Sequence, residues 1–443
     1  MILTDKKEII ELNNGEYLLV NLLSGSVIKV NKEIIQMLEK VEEIECIDAN
    51  LYKQLIAGKF IFISKEEEDN YYQGLLNAIN KKELCETPNF TLLLTYDCNL
   101  DCGYCYEKSL SHPKGFAKKE QLMAMKQFIL QKAEGYDFSK VRIAITGGEP
   151  LVKSNYEAVE AILKFTHENG FLAHIITNGT ELHYFADIIK KYEVDSIQVT
   201  IDGPKSIHDS RRFYHNKKGS FDNIIKGIDA CIENSIDVFI RVNIDELNVD
   251  YISQLGDFLI SRYNYSELLH PYLYLLKDEG CMKDDLCMTE VDAVSRILDK
   301  KGQEGMDYFS LSFHGCNFIE GVFGIKEFLP FTRFCTAPRN QFVLSPEGKI
   351  YRCWFGVGYS QFSIGSYYPE ISLNTDVIER WRSRCTSNIP SCKSCKYAFI
   401  CGGGCANKAM KNDGNILTPN CADFEKLLQL GFNYYFEKSK TNA

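Results

Sequence analysis

The sequence predicts an α/β fold centred on a partial barrel, with a smaller domain on each side. From about residue 89 to about residue 302, apolar or β-branched runs alternate with helical patterns. Strands that alternate with helices in this way form a parallel sheet. Six such strand–helix units can be counted, which is short of the eight units of a closed barrel.

The pattern of predicted strands, helices and cysteine-rich segments divides the chain into three predicted domains, residues 1–87, 88–309 and 310–443. The first is a small α+β domain, with strands predicted at 16–21 and 26–30 and helices at 33–41 and 51–57. The second contains the barrel. Its predicted strands are 91–96, 141–146, 173–177, 196–201, 238–244 and 272–276, and its helices include 119–132, 156–169, 221–233 and 252–263. The third is rich in glycine and cysteine, and a loop-rich region of this kind needs staples to stay folded.

Composition and charge exclude several classes of protein. Of the 443 residues, 45% are hydrophobic and 25% are charged, which is the balance of an ordinary globular protein. The formal net charge of −10 argues against a nucleic-acid-binding face. No secretory signal is recognisable, and no apolar run is long enough to span a bilayer. We therefore expect a cytoplasmic protein that does not associate with membranes.

Seventeen cysteines are unusual for a cytoplasmic chain, because thiols stay reduced there and disulfides are rare. Bunched cysteines in such a chain indicate metal or cluster ligation. Cys98, Cys102 and Cys105 follow the first barrel strand with the spacing C-x3-C-x2-C. Three thiolates on one loop can hold three irons of a [4Fe–4S] cube, and the fourth iron can then bind a chelating amine and carboxylate. The alternative is a zinc site with a distant fourth ligand.

Polar or glycine-rich segments follow or end the next barrel strands. In α/β barrels the active site lies at the carboxyl ends of the strands, where loop residues positioned by a rigid scaffold are often functional. Each segment alone is also compatible with an ordinary turn between a strand and a helix. Together with the cysteine loop they predict one site. The segments are Gly147–Pro150, Thr177–Thr180, Thr200–Gly203 and Arg241–Asn243.

The three cysteines, the aromatic Tyr104 and the motif Gly147–Pro150 resemble the radical S-adenosylmethionine superfamily. The resemblance implies a partial (β/α)6 TIM-like barrel that binds S-adenosyl-L-methionine at the open iron. It also implies cleavage of that cofactor to a 5′-deoxyadenosyl radical, with an electron donor such as flavodoxin or ferredoxin. The implied contacts are Gly147, Gly148 and Glu149 for the amine, Tyr104 near the adenine, Asn178 and Thr200 near the ribose or methionyl part, and Arg212 for the carboxylate.

A second set of cysteines resembles the SPASM auxiliary-cluster domain of peptide-modifying radical enzymes. Its pattern is Cys335-x12-Gly348-x4-Cys353, then Cys392-x2-Cys395-x5-Cys401-x3-Cys405, then Cys421. The resemblance implies two further [4Fe–4S] clusters, three in all. Their implied ligands are Cys335, Cys353 and Cys405 for one cluster, with Cys316 as a candidate fourth ligand, and Cys392, Cys395, Cys401 and Cys421 for the other. A pair of structural zinc sites is the alternative.

The resemblance implies a peptide substrate, and two enzyme functions remain open. One is cross-linking of a ribosomally made precursor peptide, whose leader would bind the winged-helix-like N-terminal domain by adding a strand. The other is maturation of anaerobic sulfatases by formation of formylglycine. Sulfatase-maturing relatives place an aspartate where this chain has Trp354, which favours cross-linking. A zinc-binding interaction protein without catalytic activity is a third reading.

Overall fold

The computed structural model describes residues 1–40, 48–109, 114–276 and 287–441. The chain divides into two compact units. The first unit comprises Met1–Glu86, Phe313–Arg339 and Arg382–Ala443, and the second comprises Thr87–Ser312 and Asn340–Trp381. The N-terminal segment therefore shares a unit with much of the cysteine-rich C-terminal segment. The domain boundaries expected at residues 87 and 309 remain predictions.

The helices and strands follow one another in three stretches of chain. The first stretch contains β1 (Ile2–Leu3), β2 (Lys7–Glu11), β3 (Tyr17–Asn21), β4 (Val27–Val30), α1 (Lys32–Glu39), α2 (Ala49–Ala57), β5 (Ile61–Phe62) and α3 (Lys65–Leu84). The helix expected at 33–41 corresponds to α1, and its last residue lies outside the described residues.

The second stretch is the barrel. It contains β6 (Asn89–Leu93), α4 (Lys119–Ala133), β7 (Arg142–Thr146), α5 (Tyr156–Glu168), β8 (Leu172–Thr177), α6 (Ala186–Lys191), β9 (Ser196–Thr200), α7 (Lys205–Arg211), α8 (Phe221–Glu233), β10 (Val238–Ile244), α9 (Ile252–Tyr263), β11 (Leu269–Leu275), α10 (Glu290–Leu298) and α11 (Glu304–Asp307).

The third stretch has shorter elements. It contains α12 (Cys316–Val322), β12 (Gln341–Leu344), β13 (Lys349–Tyr351), β14 (Ser363–Ser366), β15 (Ser372–Leu373), α13 (Thr375–Arg382), α14 (Ala398–Cys401), α15 (Ala406–Asp413) and α16 (Phe424–Thr441). No helix in the described part of the chain combines the length and apolar character needed to cross a bilayer.

One ten-stranded sheet organises the second unit, in the order β11-β10-β9-β8-β7-β6-β12-β13-β14-β15. Strands β6 to β11 are consecutive and parallel, which confirms the predicted α/β fold with six strand–helix units. β12 lies parallel to β6, and β13 to β15 continue the sheet in antiparallel fashion. Because β6 to β11 are parallel, the loops after these strands meet at one edge of the sheet.

The first unit contains a three-stranded antiparallel sheet, β2-β3-β4, with both faces covered. One face packs against α1 and α2, and the other packs against α12 and α16. Burying one large aliphatic or aromatic side chain contributes about 1.5–3 kcal/mol, so the sheet is stabilised largely by these helices. The contacting residues are Leu19, Ile28, Leu38 and Leu55 on the first face, and Leu18, Val20, Phe318 and Phe432 on the second.

Strand β2 was missed by the sequence analysis because charged residues obscure its pattern. Glu8 is buried in this strand. It accepts a hydrogen bond from Tyr397 Oη at 2.6 Å and pairs with Lys396 at 2.9 Å. Both partners lie almost 400 residues away in the sequence, so the local sequence cannot reveal that this charge is compensated.

Candidate active site

The loop of residues 98–105, called here the cysteine loop, follows β6 and is fixed from one side by the segment after β7. Gly148 N donates a hydrogen bond to Thr95 O, and Glu149 N donates one to Asp97 O, each at 2.9 Å. These bonds hold the start of the cysteine loop to the Gly147–Pro150 motif through the backbone. The two motifs that the sequence analysis placed in one site are therefore in direct contact.

The same loop is fixed from its other side by the segment that follows α7. Asp101 N donates to Phe213 O at 2.7 Å, and Gly103 N donates to Arg211 O at 3.1 Å. The cysteine loop is therefore clamped between two backbone segments. We call this arrangement the backbone clamp.

The glycines of the Gly147–Pro150 motif are required by this close approach. A Cβ atom on Gly147 would lie 2.2 Å from Thr95 O, and one on Gly148 would lie 2.4 Å from Tyr96 O. Gly147 also has a φ of 139°, a conformation that residues with a Cβ rarely adopt. Any side chain here would separate the motif from the cysteine loop.

Glu149 is buried at the centre of this arrangement, with 1% of its surface exposed. Its Oε1 accepts hydrogen bonds from Leu151 N (2.8 Å) and Thr177 Oγ1 (2.6 Å), and its Oε2 accepts one from Asn178 N (2.5 Å). Burial raises the pKa of Glu149 to about 7, against the lowering effect of these bonds. The Asn178 side chain in turn lies 3.8 Å from Cys98 Sγ, so Glu149, Asn178 and the cysteine loop form one cluster.

Tyr104 points from the cysteine loop into a buried polar network. Its hydroxyl donates to an Asp202 carboxylate oxygen and accepts hydrogen bonds from Arg212 Nη1 (2.6 Å) and Asn243 Nδ2 (3.2 Å). Burial raises the pKa of Tyr104 well above its ordinary value, although the Arg212 charge opposes the shift. Two of the predicted cofactor-binding residues, Tyr104 and Arg212, are thus hydrogen-bonded to each other.

The sequence analysis did not assign a role to Arg211, which carries the second cation of this network. Its Nη1 donates to both carboxylate oxygens of Asp245, at 2.7 and 2.8 Å. Its Nε lies 3.5 Å from Asp202. Arg211, Asp245 and Asp202 are each at most 5% exposed. With Arg212, the network contains two buried cations and two buried anions, so its formal charge balances.

The sequence analysis also assigned no role to His208, which is hydrogen-bonded to the backbone of Asp202 in this network. Asp202 N donates to His208 Nδ1 (3.2 Å), and the His208 Nε2 atom is 3.0 Å from Ser220 Oγ. Burial lowers the pKa of His208 to about 3, so the ring is neutral at neutral pH. The sequence offered one indication that His208 and Arg211 belong to this site, because both precede the predicted residue Arg212 on the same short segment.

The predicted residue Thr200 ends β9, where it is buried and pairs in register with Arg241 of β10. Glu149, Thr177, Asn178, Thr200 and Asn243 therefore all lie at or near the carboxyl ends of barrel strands. The sequence analysis predicted that the carboxyl ends of these strands converge, and the positions of these residues agree with that prediction.

The donor set of the cysteine loop fits an iron–sulfur cluster. Cys98, Cys102 and Cys105 are not disulfide-bonded, and thiolates are the usual ligands of such clusters. Burial raises the pKa of Cys98 to about 12 and that of Cys105 to about 11, so metal binding has to displace protons. The buried Arg212 Nε has no hydrogen-bond partner among the described residues, which suits an anionic group of a cofactor.

Seven of the candidate auxiliary cysteines lie in the first unit, and six of them form two groups. Burial, together with the nearby thiols of Cys392, Cys395 and Cys421, raises the pKa of Cys401 to about 12. Burial likewise raises the pKa of Cys335 to about 11, and its neighbouring thiol is Cys405. These groups match the division that the SPASM resemblance implies, although the ligand roles remain predictions.

Cys316 and Cys353 have different surroundings. Cys316 is buried in α12, where its Sγ is 3.8 Å from Tyr435 Oη of α16. Cys353 belongs to the second unit and directly precedes a turn in which Phe355 packs edge-to-face on Tyr106, with ring centroids 4.9 Å apart. Ligation by Cys316 and by Cys353 remains a prediction.

Comparison with known proteins agrees with this geometry. The model of the Radical SAM superfamily matches residues 92–259, which include the cysteine loop, the Gly147–Pro150 motif and the buried ion pairs. These residues are therefore a radical SAM domain, and the protein is an enzyme. Such a domain binds S-adenosylmethionine and holds a [4Fe–4S] cluster.

Similar proteins include a sulfatase-maturating enzyme, a bacteriocin biosynthesis protein and a protein that binds a precursor peptide. A cysteine-type anaerobic sulfatase-maturating enzyme of Clostridium novyi is 22% identical over 78% of this chain and 96% of its own length. The antilisterial bacteriocin subtilosin biosynthesis protein AlbA of Bacillus subtilis is 22% identical over 77% of this chain and 76% of its own length. The crystal structure of Streptococcus suis SuiB bound to the precursor peptide SuiA shares the fold, with a TM-score of 0.56 and 16% identity over 95% of this chain and 98% of that chain.

The charge-balanced network predicts a large stability effect at one position. We expect Asp245→Asn to destabilise the protein by about 3–5 kcal/mol, because it leaves the buried Arg211 without its bidentate partner. Chemical denaturation of the anaerobically purified protein measures this effect.

Asp229→Asn is the control, because Asp229 also binds an arginine through both oxygens, but at the surface. The Asp229 and Arg262 side chains are 30% and 43% exposed, so we expect a loss of no more than about 1 kcal/mol. Equal losses in the two variants would show that the buried pair has no special importance.

Proposed function

We propose that this radical SAM enzyme is a peptide maturase that forms a thioether or carbon–carbon cross-link in a ribosomally made precursor peptide. The observation that carries the proposal is the clamped cysteine loop at the carboxyl edge of the barrel sheet, beside a buried glutamate and a buried arginine pair. This arrangement supplies thiolates for a cluster and charged groups for an amino acid-like cofactor within one site.

Each residue of the site has a role in this proposal. Cys98, Cys102 and Cys105 would hold the cluster, which together with bound S-adenosylmethionine supplies a 5′-deoxyadenosyl radical for hydrogen abstraction. Among the described residues, Oε2 of Glu149 accepts only the hydrogen bond from Asn178 N. Since a carboxylate oxygen accepts two hydrogen bonds, Oε2 can also receive the cofactor amine. Arg212 would bind the cofactor carboxylate.

Polar side chains on the inner face of the barrel suit a peptide substrate. Arg241 lies over the ring of Tyr274, 3.8 Å from its centroid, and its Nε donates to Asn243 Oδ1 at 2.9 Å. Beside it, Tyr272 Oη donates to Gln198 Oε1 at 2.6 Å. These groups offer hydrogen-bond donors and acceptors to peptide amides and polar side chains next to the cofactor site.

The N-terminal sheet supplies a candidate edge for the leader of the precursor. The outer edge of β2 is covered at Glu11, whose backbone binds the side chains of Gln429 and Asn433 from α16. On β4, the backbone groups of Val27 and Lys29 point away from β3, as the hydrogen-bonding pattern requires. Among the described residues they have no hydrogen-bond partner, so a peptide can add a strand there.

Trp354 supports cross-linking over formylglycine formation. Sulfatase-maturing relatives place an aspartate, acting as a base, directly after the cysteine that matches Cys353. In this chain the position is occupied by Trp354, which is 43% exposed and lies near Phe355. An indole cannot take up the proton that such a carboxylate accepts. AlbA and SuiB, which act in peptide biosynthesis or bind a precursor peptide, fit the same proposal.

The auxiliary cysteines complete the proposal. The group Cys392, Cys395, Cys401 and Cys421 would bind one additional [4Fe–4S] cluster, and Cys335, Cys353 and Cys405 another, with Cys316 as a candidate further ligand. The chain would then hold three clusters. The auxiliary clusters would either accept the electron that is released when the cross-link forms or bind the substrate.

Anaerobic co-expression with short peptides from neighbouring reading frames tests the proposed function. Mass spectrometry should show a peptide that has lost two hydrogens for each cross-link, because ring closure joins two atoms that each lose one hydrogen. Conversion of a cysteine or serine of a sulfatase peptide to formylglycine, without any cross-linked peptide, would contradict the proposal.

Lys29→Pro should weaken binding of that precursor peptide at least tenfold, which corresponds to about 1.4 kcal/mol. Proline removes the outward N–H of β4 and places its ring where an added strand would lie. Peptide affinity is measured by fluorescence anisotropy, and cleavage of S-adenosylmethionine without peptide should be unchanged.

The control is Lys7→Pro, because Lys7 occupies an equivalent outward-facing position on the opposite edge strand, β2. We expect this variant to bind the peptide like the unsubstituted protein. If Lys7→Pro weakens binding while Lys29→Pro does not, the leader binds elsewhere than β4.

A further inference from the structure

Arg384 is among the most deeply buried charged residues of the first unit, with 1% of its surface exposed. Its Nη1 donates to Ile416 O and to Thr418 O (2.8 Å), and its Nη2 donates to Gly403 O (2.8 Å) and Gly404 O (2.9 Å). All four acceptors are neutral backbone carbonyls. The guanidinium is therefore well hydrogen-bonded, but these bonds do not neutralise its charge.

Among the described residues, no carboxylate forms an ion pair with Arg384. Two other buried arginines do have one, Arg333 with Glu83 at 3.0 Å and Arg211 with Asp245 at 2.7 Å. A buried charge without a countercharge is costly, and buried ions in proteins are normally paired. A negative group that compensates Arg384 is therefore expected close to it.

Two of the four carbonyls bound by Arg384 belong to the loop that connects the two groups of auxiliary cysteines. Gly402, Gly403 and Gly404 lie between Cys401 and Cys405, and all three have positive φ angles of 64°, 80° and 69°. Three such residues in succession require glycine, and the carbonyls of all three accept hydrogen bonds from residues outside the loop. Arg384 binds two of them.

The same loop also binds the segments that carry two other cysteines. Phe334 N, next to Cys335, donates to Gly402 O at 3.1 Å. Asn420 N, next to Cys421, donates to Gly403 O at 3.1 Å. A Cβ atom on Gly404 would lie 1.8 Å from Asn420 O. Arg384 therefore fixes the point at which three cysteine-bearing segments meet.

The thiols around Arg384 come from both groups. Burial lowers the pKa of Arg384, and the nearby sulfur atoms raise it. These sulfur atoms are groups near the guanidinium that become negatively charged when a cluster binds and displaces their protons. The contributing residues are Cys335 and Cys405 of one group and Cys392 and Cys401 of the other.

We propose that Arg384 is the shared countercharge and positioning residue of two auxiliary iron–sulfur clusters, and that it raises the reduction potential of both. The inference rests on the auxiliary clusters of the proposed function. Cluster potentials depend on net charge and on the surrounding hydrogen bonds. Reduction adds negative charge to a thiolate-bound cluster, and a fixed cation in a medium of low dielectric constant stabilises that charge.

Redox titration of the auxiliary clusters tests the proposal. The background is the full chain with Cys98, Cys102 and Cys105 replaced by Ala, so that electron paramagnetic resonance reports only the auxiliary clusters. In this background, Arg384→Gln should make reduction at least tenfold less favourable for each cluster, a shift of about 59 mV to more negative potential. Arg384→Lys keeps the charge and should shift the potentials by much less.

The double substitution Arg333→Gln with Glu83→Gln is the control, because it removes a buried arginine of the same unit without changing net charge. We expect it to leave both potentials unchanged. Unaltered potentials in Arg384→Gln, with full iron content, would overturn the proposal. Equal shifts in the Gln and Lys variants would also overturn it, because charge would then not be the cause.

If Arg384→Gln does not assemble its auxiliary clusters, the iron content of the two Arg384 variants tests the proposal instead. The proposal then expects Arg384→Lys to retain about eight irons per chain, on four per cube, because the countercharge is preserved. Loss of iron from both variants would show that Arg384 acts only through its hydrogen bonds to the backbone, and it would overturn the proposal. A background protein without iron would refute the auxiliary clusters themselves, whereas iron with unmoved potentials would refute only the role of Arg384.

Discussion

The backbone clamp around residues 98–105 is the constraint on which the candidate site depends. Three thiols can act as a unit only if the short loop that carries them has a defined shape. Here that shape is set by main-chain hydrogen bonds to the segments after β7 and α7. The glycine motif is needed because Gly147 and Gly148 approach the Thr95–Asp97 backbone too closely for any side chain. The clamp therefore links the two motifs physically.

Behind the clamp, charge balance explains why the site tolerates so many buried polar groups. Arg211 and Arg212 are matched by Asp202 and Asp245, and His208 stays neutral because burial lowers its pKa. A balanced network can be buried and rigid, whereas a single buried charge would demand a partner. The first unit presents the opposite case at Arg384, whose described partners are all neutral. The same electrostatic rule thus accounts for a charge-balanced network in one unit and motivates the proposed countercharge for Arg384 in the other.

Much of this could be predicted from the sequence because the signals were local. The alternation of strands and helices predicted the parallel sheet. The resemblance carried by Cys98, Cys102 and Cys105 together with Gly147–Pro150 predicted the class of chemistry. Strand ends also converge in any parallel sheet, so Glu149 and Asn178 could be assigned to one site. What remained hidden depended on contacts between distant residues. The strand β2 was missed because Glu8 is compensated by Tyr397 and Lys396, and the importance of Arg211 depends on Asp245, 34 residues away.

Replacing Cys98, Cys102 and Cys105 together by Ala, with Cys231→Ala as control, tests the central claim most directly. Cys231 is a buried thiol of α8, far in sequence from the loop. Iron analysis and assay of S-adenosylmethionine cleavage are made on anaerobically prepared proteins. The account predicts that the triple variant loses about four irons per chain, the content of one cube, and all cleavage, while Cys231→Ala keeps both. Cleavage retained by the triple variant, or zinc instead of iron in the unsubstituted protein, would contradict it.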